Sequence, residues 1–321
     1  MLHKKFLFSS FFIVLSFFCF PSVALAVQET SESLLSKVIS SFSQHSYRAS
    51  AVYIRPSGMQ SIDIEHEEKL ERITYSAGEE ALMTHTLLKD MQLLHTKEKV
   101  TAYFNKPQFK PLKYLHENLS KATQSYELAI SKNYDYVAGR QAVRLSVISK
   151  SKDRYSYVYW FDSDDHIILR TDTLNGQGEL IERFVLTSLT LKQPAEYSIE
   201  NTINLASIES VLYHNESNEG VKQAKIDWLP ANFWIFSIQS VYDKSQTLLY
   251  KHLLLTDGFA SVDIYLGQSG REAKLTRGQQ LDAFHVFKHV LGEKKVSVEG
   301  RLPYETLKKI GLNIVLKNSH D

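Results

Sequence analysis

One short stretch constrains this chain more than any other. From Arg154 to Asp162 the side chains alternate, with Tyr155, Tyr157, Tyr159 and Phe161 on one side and Ser156, Val158, Trp160 and Asp162 on the other. Aromatics at every second position share a face only in an extended strand, because a helix turns them around its axis. A strand that is bulky on both faces belongs to a sheet covered on both faces. Its neighbours continue the pattern. Val143, Leu145 and Val147 alternate before it, Lys150–Asp153 turns the chain, and Ser163-Asp164-Asp165 turns it again. Ile167–Asp172 returns, Asn175–Gly178 reverses, and Glu179–Leu191 forms a further long strand. The result is an antiparallel meander with short loops. The aromatic row either packs under helices as ordinary core or lines a lipid-sized cavity.

The order of parts at the N-terminus predicts a cleavable export signal, with a retained membrane anchor as the alternative that the small-residue site and the short apolar run disfavour. Lys4 and Lys5 precede an apolar run from Phe6 to Phe20, and Ala24-Leu25-Ala26 supplies a small-residue cleavage site. Cleavage after Ala26 removes Cys19, the one cysteine, and leaves 35 basic side chains against 36 acidic. A cysteine-free exported chain has no disulfide scaffold, thiolate metal site or cysteine nucleophile. Near-neutral charge provides no general attraction for nucleic acid or anionic surfaces. In a bacterium with two membranes the destination is the periplasm.

The remaining 295 residues suit two ordinary hydrophobic cores. Leu34, Leu35, Val38, Ile39 and Phe42 recur at helical spacing, with Ser31 as the expected N-cap. Tyr47–Ile54, Gln60–His66 and Lys99–Phe104 read as strands, whereas Glu79–His95 suits a helix or a loop. Polar residues from Gln193 to Gly220 mark a linker. The second unit opens with Trp228-Leu229-Pro230 and Phe233, then predicts strands at Trp234–Tyr242 and Leu248–Thr256. Asp257-Gly258 is a hairpin turn into Ala260–Leu266. Pro303, Leu307, Ile310 and Gly311 describe a short last helix, with the glycine just past its end. The fold class is therefore α+β, mostly antiparallel β. The expected boundaries are a signal at 1–26, a large domain at 27–195, a hinge at 196–220 and a small domain at 221–321.

Catalytic signatures do not emerge. There is no phosphate loop, Gly267-Gln268-Ser269-Gly270 lacks nucleophile-elbow spacing, and His66-Glu67 and His116-Glu117 each lack a second histidine. Asp162, Asp164 and Asp165 resemble a calcium loop faintly, but Ile167 stands where glycine is required, so a solvated turn is expected. His285 and His289 would share a metal on a helix and lie about 13 Å apart on a strand. The Leu291–Lys294 turn favours the strand, with both histidines exposed. No metal, no cofactor and no catalytic residue is assigned; the chain reads as a non-enzyme.

Several segments together resemble the RseB/MucB family. They are Val137–Ala142, Asp153–Tyr157 with Trp160–Asp162, Arg170–Leu174, and Gly178–Phe184. The second unit adds Trp228-Leu229-Pro230 with Phe233, Thr256–Phe259, and Val298–Pro303 before the last helix. The match covers about residues 134–190 and 225–315. Asn232 replaces a usual glycine, which a left-handed turn tolerates, and His166-Ile167-Ile168 replaces a proline-containing turn. Residues 51–130 match poorly.

The resemblance implies a large half-open β-barrel with helices, similar to lipoprotein carriers, plus a smaller α+β domain. It implies a periplasmic negative regulator that binds the periplasmic segment of a membrane anti-sigma factor, shields it from site-1 proteolysis, and is released by lipopolysaccharide or another acylated envelope lipid. A homo-oligomer is compatible with it. On this basis Tyr155, Tyr157, Tyr159 and Phe161 are candidate lipid contacts. Arg140 and Arg154 are candidate phosphate contacts, although solvation at the surface is the plainer expectation for each. Trp228, Leu229, Pro230 and Phe233 are candidate partner contacts or, equally, a buried anchor. The alternative function is a lipid or lipoprotein carrier without a signalling partner.

Overall fold

The computed structural model describes residues 29–67, 70–77, 81–88, 91–95, 100–103, 112, 115–191, 212–215, 224–242, 245–268 and 283–316. The expected signal and its cleavage site lie outside these residues, as does the linker apart from Leu212–Asn215.

Helix α1 (Ser31–Gln44) opens the chain, capped by Thr30, whose Oγ1 accepts the Ser33 N–H at 3.1 Å. The cap is one residue earlier than expected, so Ser31 is the first helical position. Twelve strands then form one sheet. They are β1 (Tyr47–Arg55), β2 (Gly58–Glu67), β3 (Leu70–Ala77), β4 (Ala81–Leu88), β5 (Met91–His95), β6 (Val100–Tyr103), β7 (Tyr126–Ile130), β8 (Asp135–Val137), β9 (Arg140–Ser149), β10 (Ser156–Asp162), β11 (Ile168–Leu174) and β12 (Leu180–Leu191). Glu79–His95, expected as helix or loop, instead supplies β4 and β5. Each pairs with a long partner on the growing edge, and that ladder overrides ambiguous local propensity.

The order β6-β5-β4-β3-β2-β1-β12-β11-β10-β9-β7 is antiparallel throughout, and β6 and β7 remain unjoined. The sheet is thus curved stock for a half-open barrel rather than a closed one. Helix α2 (Leu115–Gln124) precedes β7. Leu34, Leu35 and Val38 of α1, and Leu115 and Ala122 of α2, share one core with Tyr155, Tyr157, Tyr159 and Phe161. The aromatic row thus packs with both helices in one core. Trp160, on the opposite side of β10, belongs to a second core with Ala142 and Leu169.

The C-terminal unit has β13 (Leu212–Asn215), β14 (Ala224–Ile226), β15 (Trp234–Tyr242), β16 (Leu248–Thr256), β17 (Ser261–Gln268), β18 (His285–Leu291), β19 (Lys294–Gly300), α3 (Tyr304–Leu312) and β20 (Ile314–Leu316). Its main sheet runs β13-β15-β16-β17-β19-β18, and β14 pairs with β20. Helix α3 packs across it through Leu307 and Ile310. Gly311 lies inside α3 rather than after it, because Phe287 presses there: a Cβ would stand 2.6 Å from the ring.

Candidate functional site

The concave side of the sheet is where the two units meet, and two charged junctions hold them. The first is built on Asp257, in the turn between β16 and β17. The sequence marks this turn as an ordinary hairpin, yet Asp257 is fully buried and Phe259 joins the core of the N-terminal sheet. One Asp257 oxygen accepts the N–H groups of Phe259 and Ala260, at 3.0 and 2.7 Å, which fixes the turn itself. The other accepts Arg154 Nη1 at 2.7 Å and the Tyr126 hydroxyl at 2.8 Å. Gly258, with φ of 95°, takes a conformation that suits glycine, and a Cβ there would lie 2.6 Å from Leu115 Cδ2 and 2.9 Å from the Ala122 Cβ. The hairpin tip is therefore a plug seated against α2 and β7. Tyr126 meets Phe259 edge-on at 4.8 Å between ring centroids.

Arg154 is not the surface group expected. It is 1% exposed, and all three of its nitrogens are engaged: Nε on Asp153, Nη1 on Asp257 and Nη2 on the Ala231 carbonyl. Its guanidinium also stands 5.3 Å from the Phe233 ring. A buried cation needs such pairing, and a guanidinium 1% exposed offers no surface to a lipid phosphate in this arrangement. Burial pushes the Asp257 carboxyl upward, while Arg154, the Tyr126 hydroxyl and the backbone N–H groups pull against it.

Candidate partner contacts fall at the same seam. Phe233 and Pro230 are buried, and Trp228 and Leu229 are half-buried against the C-terminal core. Lys309 Nζ lies 3.8 Å from the Trp228 ring centre. Asn232 has φ of 64°, the left-handed turn that its replacement of glycine demanded, and its Nδ2 donates to Ser125 Oγ at 2.8 Å. The segment anchors the first junction; only Trp228 and Leu229 keep surface to offer.

The second junction is built on Arg301, in the bend between β19 and α3. Its Nη1 pairs with Glu182 on β12, and its Nη2 donates to the Tyr53 hydroxyl on β1 at 3.0 Å. Glu182, 2% exposed, also accepts the Ala283 N–H at 3.0 Å. Burial favours loss of the Arg301 proton, but Tyr53 and Glu182 outweigh it and hold the guanidinium charged. Tyr53 is pushed far up, by burial first, with Arg301 opposing and Glu182 adding. Tyr155 is pushed up to about 12 by burial and by the charge of Glu182.

Beside the second junction lies a cavity of about 40 Å³, lined among others by Tyr157, Tyr159, Ile168, Phe184, Glu182 and Arg301. Cross-strand register places Tyr159, Thr171, Phe184 and Tyr53 in one row over it. Small-molecule pockets usually measure about 300–1,000 Å³, so this space admits water and no acyl chain. The Tyr157 hydroxyl, on a residue 3% exposed, has no hydrogen-bond partner among the described residues.

The other singled-out residues are placed elsewhere. Arg140 is 29% exposed and pairs with Asp162 and Asp165. Asp162 is buried, not solvated, and accepts the Asp164 and Asp165 N–H groups at 3.0 and 2.9 Å. His285 and His289 lie on strand β18 as expected; His285, however, is buried, with Nδ1 2.9 Å from the Leu302 carbonyl oxygen. Sequence reasoning missed Asp257, Glu182, Arg301 and Tyr126 as site residues. Asp257, Glu182 and Arg301 lie in segments that resemble the family, and the Asp-Gly pair reports a turn, but neither signal says that these residues meet across the two units.

Residues 30–209 match the family described as the MucB/RseB N-terminal domain, and residues 218–315 match the MucB/RseB C-terminal domain. The chain is similar to a Haemophilus influenzae protein named sigma-E factor regulatory protein RseB, with 23% identity over 302 residues, 90% of this chain and 92% of that one. It is similar to a Pseudomonas aeruginosa protein named sigma factor AlgU regulatory protein MucB, with 28% identity over 187 residues, 56% of this chain and 57% of that one. Among solved structures, that of MucB covers 89% of this chain and 98% of its own at a TM-score of 0.65 and 19% identity. The structure of MucB in complex with MucA(peri) covers 90% of this chain and all of its own, at 0.61 and 19%. These structures establish the common fold. Relatives named as regulatory proteins accord with the reading of a non-enzyme.

Proposed function

The chain belongs to the MucB/RseB family, and on that premise we propose that it is an exported periplasmic regulator of an envelope-stress sigma factor. It binds the periplasmic segment of a membrane anti-sigma factor, shields that segment from site-1 proteolysis, and lets go when an acylated envelope lipid such as lipopolysaccharide occupies the concave face. A signal ending at Ala26 directs export. A large domain at 27–195, a hinge at 196–220 and a small domain at 221–321 are the moving parts.

The observation that carries this reading is the closure of the concave face by the C-terminal unit. Among the described residues the aromatic row is packed, and the cavity of about 40 Å³ beside it is too small for a lipid tail. On this reading lipid is received in another arrangement of the two units than the one described. A ligand that binds one arrangement better shifts the population toward it, and must weaken whatever binds the other by the same factor. The anti-sigma segment is assigned to the closed arrangement, with Trp228 and Leu229 as contacts and Pro230 and Phe233 behind them. Lipid is assigned to the opened face of Tyr155, Tyr157, Tyr159 and Phe161.

Calorimetric titration of the mature chain with the anti-sigma segment, with and without lipopolysaccharide, tests this. Binding that weakens as lipid is added is expected. Stoichiometric lipid binding with no binding of the segment would replace the regulator by a carrier.

A further inference from the structure

We propose that Arg301 is the headgroup-reading residue of the concave face, and that Glu182 fills its place until an anionic amphiphile arrives. The proposal rests on the reading of that face as lipid-receiving, and adds which residue recognises the ligand and what chemical class is recognised.

The site is built from both units. Arg301 comes from the C-terminal unit and lines a cavity otherwise walled by the N-terminal sheet. Tyr157, Tyr159, Ile168 and Phe184 make that wall apolar, and Arg301 with Glu182 makes one end charged. An apolar wall ending at a guanidinium is complementary to a hydrocarbon chain ending in phosphate or carboxylate. In the described arrangement the anion position is already taken. The Glu182 carboxylate collects Arg301 Nη1 and the Ala283 N–H, two donors from the C-terminal unit, while Arg301 Nη2 holds the Tyr53 hydroxyl. A second observation points into the same space: Tyr157, 3% exposed, lines the cavity with its hydroxyl unpartnered among the described residues. A buried hydroxyl without a partner is an unusual expense in a packed core, and a headgroup oxygen or its water would satisfy it.

The contrast with Arg154 makes the assignment specific. Arg154 is 1% exposed with every nitrogen engaged, whereas the Arg301 side chain is 20% exposed at a cavity edge. Exchange of one carboxylate for another anion is open to Arg301 alone of the two. When the ligand's anion takes the guanidinium, Glu182 loses its cationic partner, and only the Ala283 N–H still ties Glu182 to the C-terminal unit. Headgroup recognition and the opening of the two units are then one event.

The test uses the mature chain and two single-chain probes below their micelle-forming concentrations, dodecyl phosphate and dodecyl maltoside. Calorimetry should show dodecyl phosphate bound more tightly by about tenfold or more, the worth of one charge-assisted hydrogen bond. Arg301→Gln should abolish that preference and leave maltoside binding unchanged; Arg301→Lys should retain part of it. Glu182→Gln keeps an acceptor for Ala283 and removes the competing charge, so it should tighten dodecyl phosphate binding. A preference that survives in Arg301→Gln, or phosphate binding that weakens in folded Glu182→Gln, overturns the assignment. Inorganic phosphate is the third probe, and equal competition by it would mean a free-anion site and would overturn the amphiphile. Titration with the anti-sigma segment separates the two readings. If the segment does not bind but the charge preference depends on Arg301, the regulator falls and the site stands; the reverse result removes the site alone.

Discussion

The two junctions use the same chemistry, a guanidinium from one unit on a carboxylate from the other, and they differ in what surrounds it. At Asp257 the carboxylate makes four hydrogen bonds, and it and Arg154 are 0% and 1% exposed. At Glu182 the pair borders a cavity, at its charged end, and Arg301 keeps 20% of its side-chain surface. Sealed and fully satisfied, an ion pair locks, because breaking it strands a charge without water. Beside a cavity, the same pair is exchangeable, because another anion can take the vacated place. The plug fixes where the C-terminal unit sits; the Arg301–Glu182 pair is the tie open to exchange.

The contrast is most easily broken at the plug. Asp257→Ala leaves Arg154 Nη1 and the Tyr126 hydroxyl buried without their acceptor, and should cost about 3–5 kcal/mol in urea unfolding. It should also split one thermal transition into two, since the units lose their main tie. A loss no larger than that of Arg301→Gln would erase the distinction. Gly258→Ala comes next, at about 1–3 kcal/mol, from a strained φ and from contact with Leu115 and Ala122. Melting of this variant would show whether shape or charge seats the turn. Arg301→Gln should cost about 1–2 kcal/mol, since glutamine still offers Glu182 a donor and the site is partly screened.

Acid gives the smallest effect and sharpens the comparison from outside it. Burial pushes the Asp172 carboxyl up, but hydrogen bonds and charge from Arg183 and Arg170 hold it below its ordinary value. Asp162 behaves likewise, with Arg140 and the backbone N–H groups of Asp164 and Asp165 overcoming burial. A folded-state value below the unfolded one supplies stability above about pH 4, and that stability drains away as pH falls through the lowered values. Melting temperature should therefore be level near neutrality and fall below about pH 4. Arg140→Ala should flatten that fall, whereas Arg301→Gln should leave it unchanged.

Much of the sheet was legible and almost none of the junctions were. Period two across Val143–Asp162 identifies β9 and β10, and the turn at Leu291–Lys294 correctly puts His285 and His289 on a strand. At Asn232 the family resemblance, which expects glycine there, pointed to the left-handed turn, and asparagine is short enough to take it. These are local signals, carried within a few residues. Arg154 finds Asp257 at a separation of 103 residues, and Arg301 finds Glu182 at 119. No periodicity encodes such pairings, so Arg154 read as one more surface cation. Gly311 was misplaced for the same reason: Phe287 makes it necessary, and Phe287 is on β18. Residues Glu79–His95 read poorly because their strands are specified by neighbouring strands more than by their own pattern.

The plug has a consequence for how the protein is made. Phe259 belongs to the core of a sheet whose last strand ends at Leu191. A chain synthesised from its N-terminus delivers that whole sheet before it delivers the residue that completes its interior. Until the β16–β17 turn arrives, the seat between α2 and β7 stands open to water, with Tyr126 and Leu115 uncovered. Contacts so distant along the chain are slow to close and leave apolar surface exposed meanwhile. Maturation thus waits on the last third of the polypeptide, and a product truncated after the sheet would be born with its interior unfinished.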